Sequence, residues 1–134
     1  MRRLAALAAV SLGVPLLVAG CGSSPGDILG LGISGGPPRK TFHMHVMEDG
    51  RASCNTKPLH QISSSLLLDA RNVIREAKPL VQRSASFGVP SPDRRNFELL
   101  TPDGRVTWVE AAPGPPIVLP QAEELALELQ QQLC

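Results

Sequence analysis

Apolar and polar positions alternate along two stretches of the chain. In "TFHMHVMEDGRASC", Phe42, Met44 and Val46 take one face while His43, His45 and Met47 take the other. That is the period of a half-buried strand, and Asp49-Gly50 marks a turn because glycine reaches positive φ without a steric cost. "NFELLTPDGRVTWVE" repeats the pattern: Phe97 and Leu99 precede a Pro102-Asp103-Gly104 turn, and Val106 and Trp108 follow it. Each stretch predicts a β-hairpin.

Two other stretches carry the helical period. Leu67, Ala70, Ile74, Ala77 and Val81 lie three and four residues apart, on one side of a predicted helix. The serines at 63 to 65 offer an N-cap, and Pro79, which has no N–H to donate, predicts a kink or an end near Ala77. "PQAEELALELQQQLC" predicts a last helix that opens on Pro120, places Glu123 and Glu124 near its positive end and buries Ala122, Leu125, Leu129 and Leu133. Ile117 to Leu119 is expected as a short extended piece before it. Together these elements predict an α+β fold: a four-stranded antiparallel sheet of two hairpins, with two helices packed on one face, in the order ββαββα.

The start of the chain differs. Arg2 and Arg3 precede an uncharged run from Leu4 to Gly20. That run is short of the roughly 20 apolar residues of a membrane span and reads as a secretory signal. Its last residues, Val18-Ala19-Gly20-Cys21, resemble the lipobox of bacterial lipoproteins. The resemblance implies cleavage before Cys21 and acyl chains, palmitate among them, on that residue. The chain would then be held on the outer face of the cell membrane without crossing it. Residues 1–20 are thus expected as the signal peptide, 21–40 as a flexible Gly/Pro/Ser tether and 41–134 as one small domain. The "DILGLGI" inside that tether is unusually apolar and is expected to brush the membrane or dock on the domain.

Export bears on the cysteines. With Cys21 acylated, Cys54 and Cys134 remain. An oxidising compartment favours one disulfide between them, which would brace a core poor in aromatic residues. A free reactive thiol and an intermolecular bridge stay open.

Charge narrows the partners. Once Arg2 and Arg3 leave with the signal, the 13 basic residues fall just below the 12 acidic ones. The protein has 3 Phe, 1 Trp and no Tyr. Neither the charge nor the scarcity of stacking side chains suits nucleic acid as a partner.

Candidate chemistry is sparse. His43, His45 and Met47 share a strand face, with His60 as a possible neighbour, and imidazole with thioether suits copper or, for imidazoles alone, zinc. No nucleophile elbow, phosphate loop, Cys-x-x-Cys or His-Glu-x-x-His is present, so neither an enzyme nor a cofactor is expected. The helix-free sheet face, carrying His43, His45, Met47, Leu100, Thr107 and Val109, is the expected surface for a protein partner outside the cytoplasm.

Two family resemblances bear on this. The lipobox, "DGRASC", "LLLDARNVIREAKPL", "FELLTPDGRVTWVE" and a last helix closing on Cys134 resemble small lipoproteins of high-GC Gram-positive bacteria, a likeness that brings no activity with it. Ser34-Gly35-Gly36 and the layout from Phe97 to Leu133 are similar to emfourins, small inhibitors of thermolysin-like metalloproteases built from two helices on a four-stranded antiparallel sheet. Emfourins carry a phenylalanine after the glycines where this chain has Pro37. The expected role is a lipid-anchored, non-enzymatic binding module, with protease inhibition and metal binding as alternatives.

Overall fold

The computed structural model describes residues 26–134. In chain order the elements are β1 (Asp27–Ser34), β2 (Phe42–Met47), β3 (Arg51–Cys54), β4 (His60–Gln61), α1 (Ser64–Gln82), β5 (Ser86–Phe87), β6 (Asn96–Thr101), β7 (Gly104–Val109) and α2 (Val118–Leu133). The strands form one seven-stranded sheet in the order β4-β3-β2-β1-β6-β7-β5. Neighbours are antiparallel except β5, which runs parallel to β7.

The expected four-stranded antiparallel sheet in the order ββαββα is therefore wrong, and so is the boundary between tether and domain at residue 40. The stretch "DILGLGIS" is β1, and it runs between the two hairpins. Leu31 pairs with Met44 on one side and with Leu99 on the other. Leu29, Leu31 and Ile33 are buried in the core. Gly30, Gly32 and Ser34 take the alternate positions on the opposite face. Glycine is disfavoured in strands, and here it masks a strand whose apolar positions still keep the period of two. The remaining additions, β4 and β5, are two residues each and sit at the two sheet edges. Such short edge strands leave little unpaired backbone exposed.

Both helices lie against the face that carries Leu29, Leu31, Met44, Val46, Phe97, Leu99, Val106 and Trp108. In α1 the side chain of Ser63 accepts from the Leu66 N–H at 3.2 Å, capping one of the orphan donors of the first turn. The helix does not end at Ala77. It passes through Pro79 to Gln82, because Leu80 and Val81 are buried against the sheet and hold the last turn in place. Burial also shifts the predicted stripe: Leu66, Val73 and Leu80 join Ala70, Ala77 and Val81, while Leu67 and Ile74 pack at the margin. In α2 the helix begins at Val118, so Ile117 to Leu119 is not extended; Val118 and Leu119 are buried in its first turn.

Phe97 and Trp108 stack with ring centroids 5.4 Å apart, and the Trp108 Nε1–H donates to Glu123 Oε2 at 3.3 Å, tying α2 to β7. The Cys54 and Cys134 sulfurs lie at disulfide-bonding distance, with Cα atoms 5.4 Å apart and a sequence separation of 80. The pair joins the end of α2 to β3. Lys57 Nζ donates to the Cys134 carbonyl oxygen at 2.6 Å beside it.

The sheet has a near end, where β1 starts, and a far end, where it stops. At the near end the Glu48 N–H donates to the Gly26 carbonyl at 3.1 Å, so the entering chain is fastened to the β2–β3 turn. The β6–β7 turn lies at the same end. The far end carries the loops that follow β1 and precede β6.

Candidate functional site

The helix-free face is built on two glycines. Register pairing aligns His43, Gly32, Glu98, Thr107 and Ser86 in one row across five strands. A second row aligns His45, Gly30, Leu100 and Arg105. Side chains paired in register point to the same side of a sheet, so His43 and Glu98 flank Gly32. A Cβ placed on Gly32 would lie 3.7 Å from His43 Nδ1 and 3.8 Å from Glu98 Oε1. The missing side chain thus lets an imidazole and a carboxylate approach one point from opposite sides. Thr107 Oγ1 donates to Ser86 Oγ at 3.1 Å further along the row, and Arg105 Nη1 donates to Glu98 Oε2 at 3.4 Å.

The first row forms the floor of a groove of about 350 Å³ toward the far end. Phe87, Pro90 and Val109 supply apolar wall, and Ser34, Thr41 and Asn96 close it. A small number of polar groups in an apolar hollow is the usual make-up of a recognition site.

Asn96 holds the wall. Its Nδ2 donates to the carbonyls of Ser91 (2.9 Å), Arg94 (3.0 Å) and Ser34 (3.4 Å), and its Oδ1 accepts from the Ser91 N–H at 3.2 Å. Gly35 must be glycine there: φ is +70°, and a Cβ would sit 2.5 Å from the Arg94 carbonyl oxygen. The Gly36 N–H donates to the Pro92 carbonyl at 3.0 Å and joins the same two loops.

At the far end, on the helix side of the sheet, Arg95 and Glu110 form an ion pair about a third exposed, with Arg95 Nε donating to Glu110 Oε1 at 3.0 Å. The Arg95 guanidinium also lies 6.0 Å from the Phe97 ring centroid. The hydrogen bond from Arg95 holds the Glu110 carboxyl below the usual carboxylate range, against the opposing effect of burial. A carboxyl held low in the folded state stabilises the fold above the ordinary carboxylate range, and that contribution disappears as pH falls through its lowered value. Glu110→Gln is therefore expected to lower stability by about 1 kcal/mol at neutral pH, a figure already reduced for solvent screening. It is expected to change little once acid has protonated the wild-type carboxyl. Urea melts of both proteins from pH 7 down to pH 2 check this; an equal loss at every pH would show that the charge is not what acts.

The residues singled out from sequence fare differently. His43, His45 and Thr107 reach the helix-free face. Val109 is largely covered by the loop after β5, being 4% exposed with a Cβ on Gly88 placed 3.1 Å from the Val109 Cβ, and it enters the site only as part of the groove wall. His45 Nδ1 faces Asp27 Oδ2 at 3.3 Å. Met47 lies opposite Asp27 in the register. His60 pairs with Ala52, a core-side position, so it is not on the face of His43 and His45. Among the described residues no group of three or more His, Cys, Asp or Glu is placed to hold a metal. Cys21 lies outside the described residues. Among the described residues no helix is long and apolar enough to cross a membrane.

Gly32, Glu98 and Phe87 belong to the groove but were not legible as site residues from sequence alone. The alternation in "LGLGIS" was the available signal, since it sets Gly30 and Gly32 on the face opposite the leucines.

Compared with known proteins, the chain matches no family model, no curated protein and no solved structure.

Proposed function

We propose that the protein is a lipid-anchored binding module of the extracytoplasmic membrane surface, held through Cys21, that recognises a protein partner with the groove on its helix-free face. The groove itself carries this reading: polar His43, Glu98 and Thr107 lie along an apolar hollow at the end of the sheet away from the entering chain. The lipobox-like Val18–Cys21 supports the anchor. A chain fastened at the near end would present the groove outward. Both sheet edges are blunt, which leaves the face as the larger recognition surface.

Two experiments test the two halves. Mass analysis of the protein from membranes is expected to show a chain starting at an acylated Cys21, and Cys21→Ser to move it out of the membrane fraction. An unmodified Cys21 on a chain that keeps residues 1–20 would remove the anchor. A photocrosslinker at Thr107 is expected to give a discrete protein adduct on intact cells, and one at Asp69 on α1 to give none; indistinguishable results would remove the groove.

The alternatives yield to equally direct assays. Stoichiometric inhibition of a thermolysin-like protease would favour the emfourin-like reading. Tight copper or zinc uptake, lost in a His43→Ala/His45→Ala variant, would favour the metal one.

A further inference from the structure

We infer that the near end of the helix-free face rests on the lipid interface, so that Met47, Leu100 and Pro102 meet the boundary between headgroups and acyl chains. This rests on the reading of Cys21 as the anchor. Leu100 is 38% exposed, and its neighbour across the register is Gly30, which has no side chain to cover it. Ile28, His45, Leu100 and Pro102 line a hollow of about 250 Å³ at this end. Met47 belongs to the same face by alternation. These apolar groups cluster where β1 begins, and the groove lies toward the other end.

Chain length decides what covers them. From Cys21 to Gly26 the chain spans at most about 18 Å, whatever its conformation. Gly26 is fastened to the near end by Glu48. An acylated Cys21 therefore keeps the bilayer within that distance of Gly26, while the end of β1 lies roughly 23 Å further along the strand. Charge is close to balanced toward this end: Arg51, Arg71, Lys78 and Arg105 stand among Asp27, Glu48, Asp49, Glu98 and Asp103. Asp27 lies 3.3 Å from His45, Asp49 2.8 Å from Arg51, Asp103 4.0 Å from Lys78 and Glu98 3.4 Å from Arg105. Such pairing leaves little net field to select anionic lipid, so apolar contact sets the tilt while the acyl chains supply the affinity.

The test uses the full acylated protein in phosphatidylcholine vesicles. An environment-sensitive fluorophore is attached to Leu100→Cys or Pro102→Cys, with Val89→Cys, 85% exposed and far from this end, as the control. Brominated lipid is expected to quench the first two probes at least about threefold more than the control, with a blue shift, and equally in vesicles with and without phosphatidylglycerol. Equal, weak quenching at all three positions in protein that floats with the vesicles overturns the inference and leaves the anchor standing. Protein that fails to float, with Cys21 unmodified, overturns the anchor and this contact together. Quenching that appears only with anionic lipid overturns the apolar mode of contact.

Discussion

A chain shortened to begin at Thr41 is expected not to fold. The cut removes β1, which hydrogen-bonds to β2 on one side and β6 on the other. It takes Leu29, Leu31 and Ile33 out of the core. Burying each such side chain is worth about 1.5–3 kcal/mol, before any lost ladder hydrogen bonds are counted. The sum consumes most of the roughly 5–15 kcal/mol that a domain of this size has to spare. The cut also leaves two long strands with exposed edges, which favours aggregation over a rearranged sheet. Thermal melts followed by circular dichroism should show a cooperative transition for residues 26–134 and none for residues 41–134. A cooperative melt of the shorter chain within a few degrees of the longer would show that β1 adds nothing the hairpins lack.

Loss of the Cys54–Cys134 pair is expected to have the second largest effect. With the two cysteines separated by 80 in sequence, the chain-entropy model gives about 4.5 kcal/mol for a bridge of this span. At a few degrees per kcal/mol, that corresponds to a fall in Tm of roughly 20 °C. The double variant Cys54→Ala/Cys134→Ala and the wild type in reductant should melt together, well below the oxidised protein. Reduction should reach the pair from the Cys134 side, because Cys54 is 1% exposed and Cys134 is half-buried. Thiol titration of the untreated protein provides the check: two reactive groups at these positions would mean that no bond braces the fold.

The hairpins around Gly50 and Gly104 were legible because local alternation and turn chemistry act within a dozen residues. β1 was not, because its two neighbours lie far away in sequence and its glycines suggest a linker. A strand at the centre of a sheet is decided by what it pairs with, and one sequence does not state the pairing. Pro79 misled for a similar reason. The lost hydrogen bond is a local penalty, and the burial of Leu80 and Val81 that outweighs it is tertiary. Val109 alternates correctly onto the helix-free face; the turn through Gly88 that covers it has no periodic signature. His43 and His45 were legible as face mates, but Glu98 joins them only through β1, so the groove could not be drawn until that strand was in place.

The edge strands bear on how copies of this protein behave at high surface density. β4 and β5 each hold only two residues, and Pro58 and Pro90 lie close beside them in sequence. Molecules confined to a plane collide side by side far more often than molecules in bulk solution. A sheet with long, flat borders would zip to its neighbour at such an encounter and grow into a fibre. Under the proposed anchor, each border would present too short a run of amide groups to seed that growth, and the population would stay dispersed.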